Sequence, residues 1–229
     1  MNNLVGVIGG LGPSATAYFM KLIIDLTKAN CDQDNVDMLV CQYSSIPDRT
    51  SYILEKSTSN PAHKMIEAAK LLEREKCKFI VIPCNTASYF YDEIIKNVST
   101  EVLNIAEVTS KRVLEKDPKK VGIMATDGTI ISGVYDKYLN NLLFKPNQEI
   151  QNEIMSIIYD DVKRNQTPSK ERFSKIINYF KENNCDYIIT GCTELSVALI
   201  ELNINEDFII DSLTVLAKET ILKAGKQLK

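Results

Sequence analysis

Short apolar runs alternate with stretches of helical periodicity along the whole chain. Runs at 4–9, 36–42, 78–82, 101–105, 120–124, 186–190 and 207–211 read as strands. Most are continuous rather than alternating, the pattern of strands covered on both faces. The segments between them read as helices. The clearest covers 61–76, where Pro61 suits a first turn and Ala62, Met65, Ile66, Ala69 and Leu72 share one face. Strands and helices in alternation predict an α/β fold with parallel sheets flanked by helices.

The pattern also repeats. "CKFIVIPCNTA" at 77–87 matches "CDYIITGCTEL" at 185–195, so Cys77 falls on Cys185 and Cys84 on Cys192. "VGVIGGLGPSAT" from Val5 matches "VGIMATDGTIIS" from Val121, giving an offset of 116 here and 108 at the cysteine strands. Two pseudo-symmetric α/β lobes are therefore favoured over one continuous sheet. The expected division is 1–105 for the first lobe, completed by a C-terminal helix at about 212–229, and 106–211 for the second. The charged turn "LEKDPKK" at 114–120 does not read as a flexible linker.

Charge and composition narrow the function classes. The 229 residues include 27 Lys and Arg against 30 Asp and Glu, a net charge of −3, with the basic residues scattered. No nucleic-acid partner is expected. The start "MNNLVGVIGGLG" lacks the basic region of a signal peptide, and no apolar run approaches a membrane span. A cytoplasmic protein with no membrane partner is expected, so its six cysteines should be thiols. Their spacings form neither a zinc site nor a CxxC pair. The single histidine, His63, sits in a plain helical pattern, which argues against a histidine-based triad or metal site.

Each repeated cysteine falls at the carboxyl end of a strand just before a helix, where parallel α/β sheets gather ligands. A helix terminus near each sulfur should favour the thiolate. Asn85, Thr86 and Thr193 either cap those helices or bond a ligand. The loop "GGLGPSAT" at 9–16 lacks the dinucleotide and Walker spacings but suits a small carboxylate. Arg49, in "YSSIPDRT", is either a plain surface residue or the bidentate partner of such a carboxylate. The other cysteines, Cys31, Cys41, Cys77 and Cys185, read as structural.

Taken in order, "GGLGPSAT", "SSIPDRT", "AAKLLEREKCKFIVIPCNTA" and "GCTEL" resemble the aspartate/glutamate racemase family, most closely its aspartate racemase branch. The resemblance spans nearly the whole chain and implies an active site in the cleft between two lobes, no pyridoxal phosphate, no metal, and a homodimer. It makes Cys84 and Cys192 the catalytic pair. It places Gly10, Leu11, Gly12, Asn85, Thr86, Ala87, Thr193 and Glu194 around the substrate, with Arg49 and Lys163 on the two carboxylates of an acidic amino acid. Glutamate racemases carry an Asp-Ser pair where this chain has Gly9 and Gly10, and a histidine where it has Glu194. Aspartate racemases commonly carry a histidine where this chain has Ser88, which loosens the case for strict aspartate specificity.

A racemase removes a proton from one face of the α-carbon and returns one to the other, so two opposed thiols can serve as base and acid in exchangeable roles. Glu194, beside Cys192, should oppose ionisation there and make the two sulfurs differ in charge. The alternatives are a broad-specificity amino-acid or glutamate racemase, a maleate isomerase-like enzyme, a thiol redox protein, or a non-catalytic carboxylate binder.

Overall fold

The computed structural model describes residues 3–229. Met1 and Asn2, at the start of the lobe expected over 1–105, lie outside the described residues.

The described residues form two four-stranded sheets. The first contains β1 (Val5–Gly9), β2 (Met38–Gln42), β3 (Phe79–Val81) and β4 (Val102–Leu103), in the order β2-β1-β3-β4. The second contains β5 (Val121–Ala125), β6 (Leu143–Phe144), β7 (Tyr187–Gly191) and β8 (Ile209–Asp211), in the order β6-β5-β7-β8. Every pairing is parallel, and the register repeats: Val5 lies beside Phe79, and Val121 beside Tyr187. Residues 116 apart on one strand and 108 apart on the next thus share a register, and the two sheets repeat one design.

β6 is the strand that the hydrophobic pattern does not announce. Only two residues pair, at a half-buried sheet edge inside "NNLLFKPN", too few to show periodicity. The helix expected over 61–76 runs Ala62–Arg74, because Lys76 turns to φ 58° and breaks it. Its counterpart Asn184, at φ 56°, does the same after the helix Lys170–Glu182.

One face of the first sheet packs on the helix Ala62–Arg74 through Met65, Ala68, Ala69 and Leu72. The other face packs Val5, Val7, Phe79 and Val81 against Phe19 and Ile23 of the helix Pro13–Leu26. Leu213, Leu216, Ala217 and Ile221 of the C-terminal helix Ser212–Lys223 join this same core. Each of the leucine and isoleucine side chains contributes about 1.5–3 kcal/mol by leaving water, so the end of the chain is tied to its beginning. Lys28 N–H donating to the Gln227 carbonyl at 2.8 Å adds a backbone link. The helix Ile105–Leu114 lies between the lobes, with Ile105 in the first core and Ala106 and Val113 in the second. Among the described residues no helix is long and apolar enough to cross a membrane.

Candidate active site

β3 ends at Val81, and Ile82 and Pro83 carry the chain to Cys84; β7 runs directly into Cys192. Both sulfur-bearing residues are buried. They line one cavity of about 10 Å³, walled by Leu11, Arg49 and Thr86 from the first lobe and Thr126, Lys163 and Glu194 from the second. Such a volume holds about one water molecule. A neighbouring open pocket of about 290 Å³ shares Asp48, Arg49, Lys163 and Glu194 with it and contains Gly10 and Gly12.

The segments after the two cysteines differ. Cys192 is the N-cap of the α-helix Thr193–Glu201, whereas Cys84 precedes a 3₁₀ turn over Thr86–Phe90. Asn85 occupies the cap position of that turn without capping it. Its amide instead donates to Ser212 Oγ at 2.9 Å and accepts from the Tyr135 hydroxyl, a buried link between lobes. Thr86 Oγ1 lies 3.1 Å from Thr126 Oγ1 and 2.9 Å from Thr129 Oγ1. Ser88 bonds Asn104 at 2.9 Å, as Ser196 bonds Asp211 in the other half.

Glycine lets the loops approach these strand ends. A Cβ on Gly12 would lie 2.6 Å from Glu194 Oε1, and one on its counterpart Gly128 would lie 3.1 Å from Thr86 Cγ2. The repeat therefore brings each glycine close to the residue two places beyond the opposite lobe's cysteine, although Gly128, in the helix Asp127–Ser132, approaches Thr50 more closely still, with Thr50 Oγ1 at 2.8 Å. Those two residues, Thr86 and Glu194, are chemically unlike.

The charges are also unlike. Arg49, 7% exposed, is the first residue of the helix Arg49–Ile53 rather than part of a loop. Its Nη1 donates to Pro47 O at 3.1 Å, Nη2 donates to Leu11 O, and Nε is buried without a partner. Burial works against its charge, but Cys84, Asp48 and Glu194 outweigh that and hold its pKa above the ordinary value. Burial also works against the charge of Lys163, but Glu194, Tyr159, Cys192 and Asp48 outweigh it and hold its pKa above the ordinary value. Its ammonium lies 3.5 Å from Asp48 Oδ2 and 3.8 Å from the centre of the Tyr159 ring.

Cys192 departs from the helix-terminus expectation. Its Sγ–H donates to Glu194 Oε2 at 3.0 Å, and burial, with Glu194 adding to it, pushes the thiol well above its ordinary value. The helix N-terminus does not offset desolvation and an adjacent carboxylate. The expectation that Glu194 opposes ionisation describes this geometry.

The structure brings Leu11, Arg49, Asn85, Thr86, Lys163, Thr193 and Glu194 to the cavity with the two cysteines. Gly10 and Gly12 line only the outer pocket. Ala87 lines neither; it is buried in the hydrophobic core of the first lobe. Sequence reasoning missed Asp48, Thr50, Thr126 and Tyr159, which line the cavity. Asp48 and Thr50 lie inside the motif "SSIPDRT", and Thr126 is the repeat partner of Gly10. Pairing the repeat position by position would have found Thr126. Among the described residues no group of three His, Cys, Asp or Glu side chains is arranged to hold a metal.

Comparison with known proteins places these features in context. The family model for Asp/Glu/Hydantoin racemase matches residues 8–220. The broad specificity amino-acid racemase RacX of Bacillus subtilis (strain 168) is 29% identical over 231 residues, covering 95% of this chain and 96% of that protein. The solved aspartate racemase of Picrophilus torridus is 31% identical, with a TM-score of 0.87 over 100% of this chain and 96% of its own. An aspartate racemase homologue from Pyrococcus horikoshii, 23% identical, shares the fold with a TM-score of 0.77 over 98% of this chain and 100% of its own. With the match running through both lobes, the chain belongs to the Asp/Glu/Hydantoin racemase family.

Proposed function

We propose that the protein is an aspartate racemase that moves the α-proton between Cys84 and Cys192 without pyridoxal phosphate or metal. The observation that carries this reading is the arrival of both sulfurs, from equivalent strand ends of two repeated lobes, in one buried cavity. One sulfur takes the proton as thiolate; the other, as thiol, delivers one to the opposite face. Arg49 and Lys163 are the cations available for two carboxylates, and the unpartnered Arg49 Nε is a donor with an unmet bond. A cavity of about 10 Å³ cannot hold an amino acid, so substrate enters from the outer pocket by parting the wall at Asp48 and Lys163. In this reading the lobes divide near residues 105 and 211, and the protein is a cytoplasmic homodimer.

A broader amino-acid specificity is the second reading. Asp48 and Glu194 already balance the two cations of the site, so a neutral zwitterion meets no excess positive charge. The likeness to a broad-specificity racemase points the same way. Circular dichroism of a panel of L-amino acids, with pure protein and no added cofactor, separates the two. Loss of the aspartate signal alone supports the first, and equal rates on alanine or glutamate support the second. If no amino acid racemises, both fail. Removing Lys163 as Lys163→Ala should raise KM on aspartate far more than on alanine; an equal change on both removes its assignment to the second carboxylate.

A further inference from the structure

We infer that Arg172 is a positioning residue for Lys163 and Tyr159: its guanidinium clasps the two ends of the widened turn that carries both side chains to the cavity. The assignment of Lys163 to a substrate carboxylate rests on the reading above; the clasp belongs to the free protein.

The helix Gln148–Ser156 runs into a π-helical turn, Ile157–Asp161, in which Val162 N–H reaches back to the Ile157 and Ile158 carbonyls, and a 3₁₀ turn over Val162–Arg164 follows. Such a turn fits one residue more than an α-helix would and recurs at functional sites. The insertion changes which carboxylate faces Arg172. In a continued α-helix Glu153 and Ser156 would share a face with Asp160, but here Asp161 takes that place and Asp160 is left to the exposed Arg164 at 3.1 Å. Arg172 Nε donates to Glu153 Oε1, Nη2 to Ser156 Oγ at 3.0 Å, and Nη1 to Asp161 Oδ2 at 2.6 Å. Two partners precede the turn and the third closes it. Tyr159 and Lys163, carried between and just beyond these ends, line the cavity and meet Asp48 of the first lobe. At 34% exposure the guanidinium gains little global stability from its ion pairs, but three donors in a rigid fork fix the separation and direction of what they hold.

The repeat supplies an independent sign. The helices Ala62–Arg74 and Lys170–Glu182 correspond at the offset of 108, which sets Lys64 on Arg172 as the third residue of each. Lys64 Nζ donates to Ser45 Oγ at 2.7 Å, in the loop that leads to Arg49. In both lobes, then, a basic residue at one helix position reaches the segment that delivers a cation to the cavity. The first lobe uses one bond to an exposed loop; the second uses three across a turn with an inserted residue.

The test compares Arg172→Gln, Asp161→Asn and the double variant with wild type, first without substrate. In protein labelled with ¹³C at lysine Cε, the Lys163 signal, assigned through Lys163→Arg, should be shifted upfield by the Tyr159 ring, whose centre lies 3.8 Å from the ammonium. Both single variants should lose that shift, and their amides over 158–165 should exchange about tenfold faster or more while the sheets exchange as before. The double variant should be no worse than either single, because both break one contact across the turn. On aspartate, KM should rise about fivefold or more with kcat changed by less than about twofold. A merely structural role would lower kcat with the folded fraction and leave the Lys163 signal of the folded molecules in place. A Lys163 signal that is unshifted in wild type, or that stays in place in both single variants, overturns the inference. Inactivity on every amino acid would refute the proposed reaction separately, since the Lys163 signal needs no turnover.

Discussion

The Asp48 carboxylate of the first lobe meets the Lys163 ammonium of the second at 3.5 Å, where the small cavity and the outer pocket share their lining. The Tyr159 hydroxyl donates to the same carboxylate at 3.3 Å. Both charged side chains are partly exposed, at 26% and 33%, and such pairs contribute only about 0.2–1 kcal/mol. The contact is weak enough for a substrate carboxylate to replace it.

Asp48→Asn separates the two roles of that side chain. Asp48 Oδ1 also accepts from Ser51 N–H at 2.7 Å and caps the helix Arg49–Ile53, a bond asparagine retains. Stability should change by no more than about 1 kcal/mol in urea unfolding. KM for aspartate should fall, because Lys163 no longer has a competing carboxylate. An unchanged or raised KM in a folded variant would show that Asp48 does not compete with substrate.

Exchange of either thiol for a hydroxyl tests the acid/base pair. Cys84→Ser and Cys192→Ser leave almost no cavity, so circular dichroism should show the fold intact. Racemisation should drop in both directions by at least about 10²–10⁴-fold, the usual worth of a positioned proton-transfer group. In heavy water the wild type should place deuterium in the product while recovered substrate stays largely unlabelled, since each sulfur faces one enantiomer. Most of the activity surviving in either variant would sink the two-cysteine mechanism.

What could be read in advance followed from residue pattern, and what could not depended on distance. The apolar runs announced seven of the strands, most plainly β1, β3, β5 and β7, which are buried almost throughout; β6, two residues at a half-buried edge, leaves no pattern. The repeat of Cys84 and Cys192 foretold equivalent strand ends, since each lies five residues beyond the residue, Phe79 or Tyr187, that sits beside Val5 or Val121. Asp48 and Tyr159 were not legible as site residues, because their meeting joins positions 111 apart across the lobes. The sequence around Asn85 suggests a cap or a ligand group, but its amide turns to Ser212 and Tyr135, partners no local pattern names.

The stability of the fold should depend on the Cys192 proton. Burial, with Glu194 adding to it, raises this thiol well above its ordinary value of 9.0, so the folded state holds a proton that the unfolded chain releases first. The contribution is complete below the unfolded value and is lost as pH rises through the folded one. Cys41, Cys77 and Cys185, raised by burial, act in the same direction. Urea unfolding should therefore give a falling free energy from about pH 9 upward, with a smaller slope in Cys192→Ser. Equal slopes in the two proteins would mean that Cys192 carries no such linkage.

Two glycines of one loop should fail in different ways. Gly10 has φ +87°, and an added Cβ would lie 2.4 Å from the Tyr43 carbonyl carbon, an atom of the backbone beside β2 that cannot swing aside. Gly10→Ala combines a left-handed conformation with a backbone clash and should cost about 1–3 kcal/mol or more in urea unfolding. Gly12 has no positive φ, and the Cβ would meet only the Glu194 carboxylate, at 2.6 Å, the far end of a side chain. Gly12→Ala should fold with a smaller loss of stability, yet displace Glu194 from Cys192 and lower racemisation. If Gly12→Ala is the less stable of the two, or keeps wild-type activity, the close approach of loop and carboxylate has no part in catalysis.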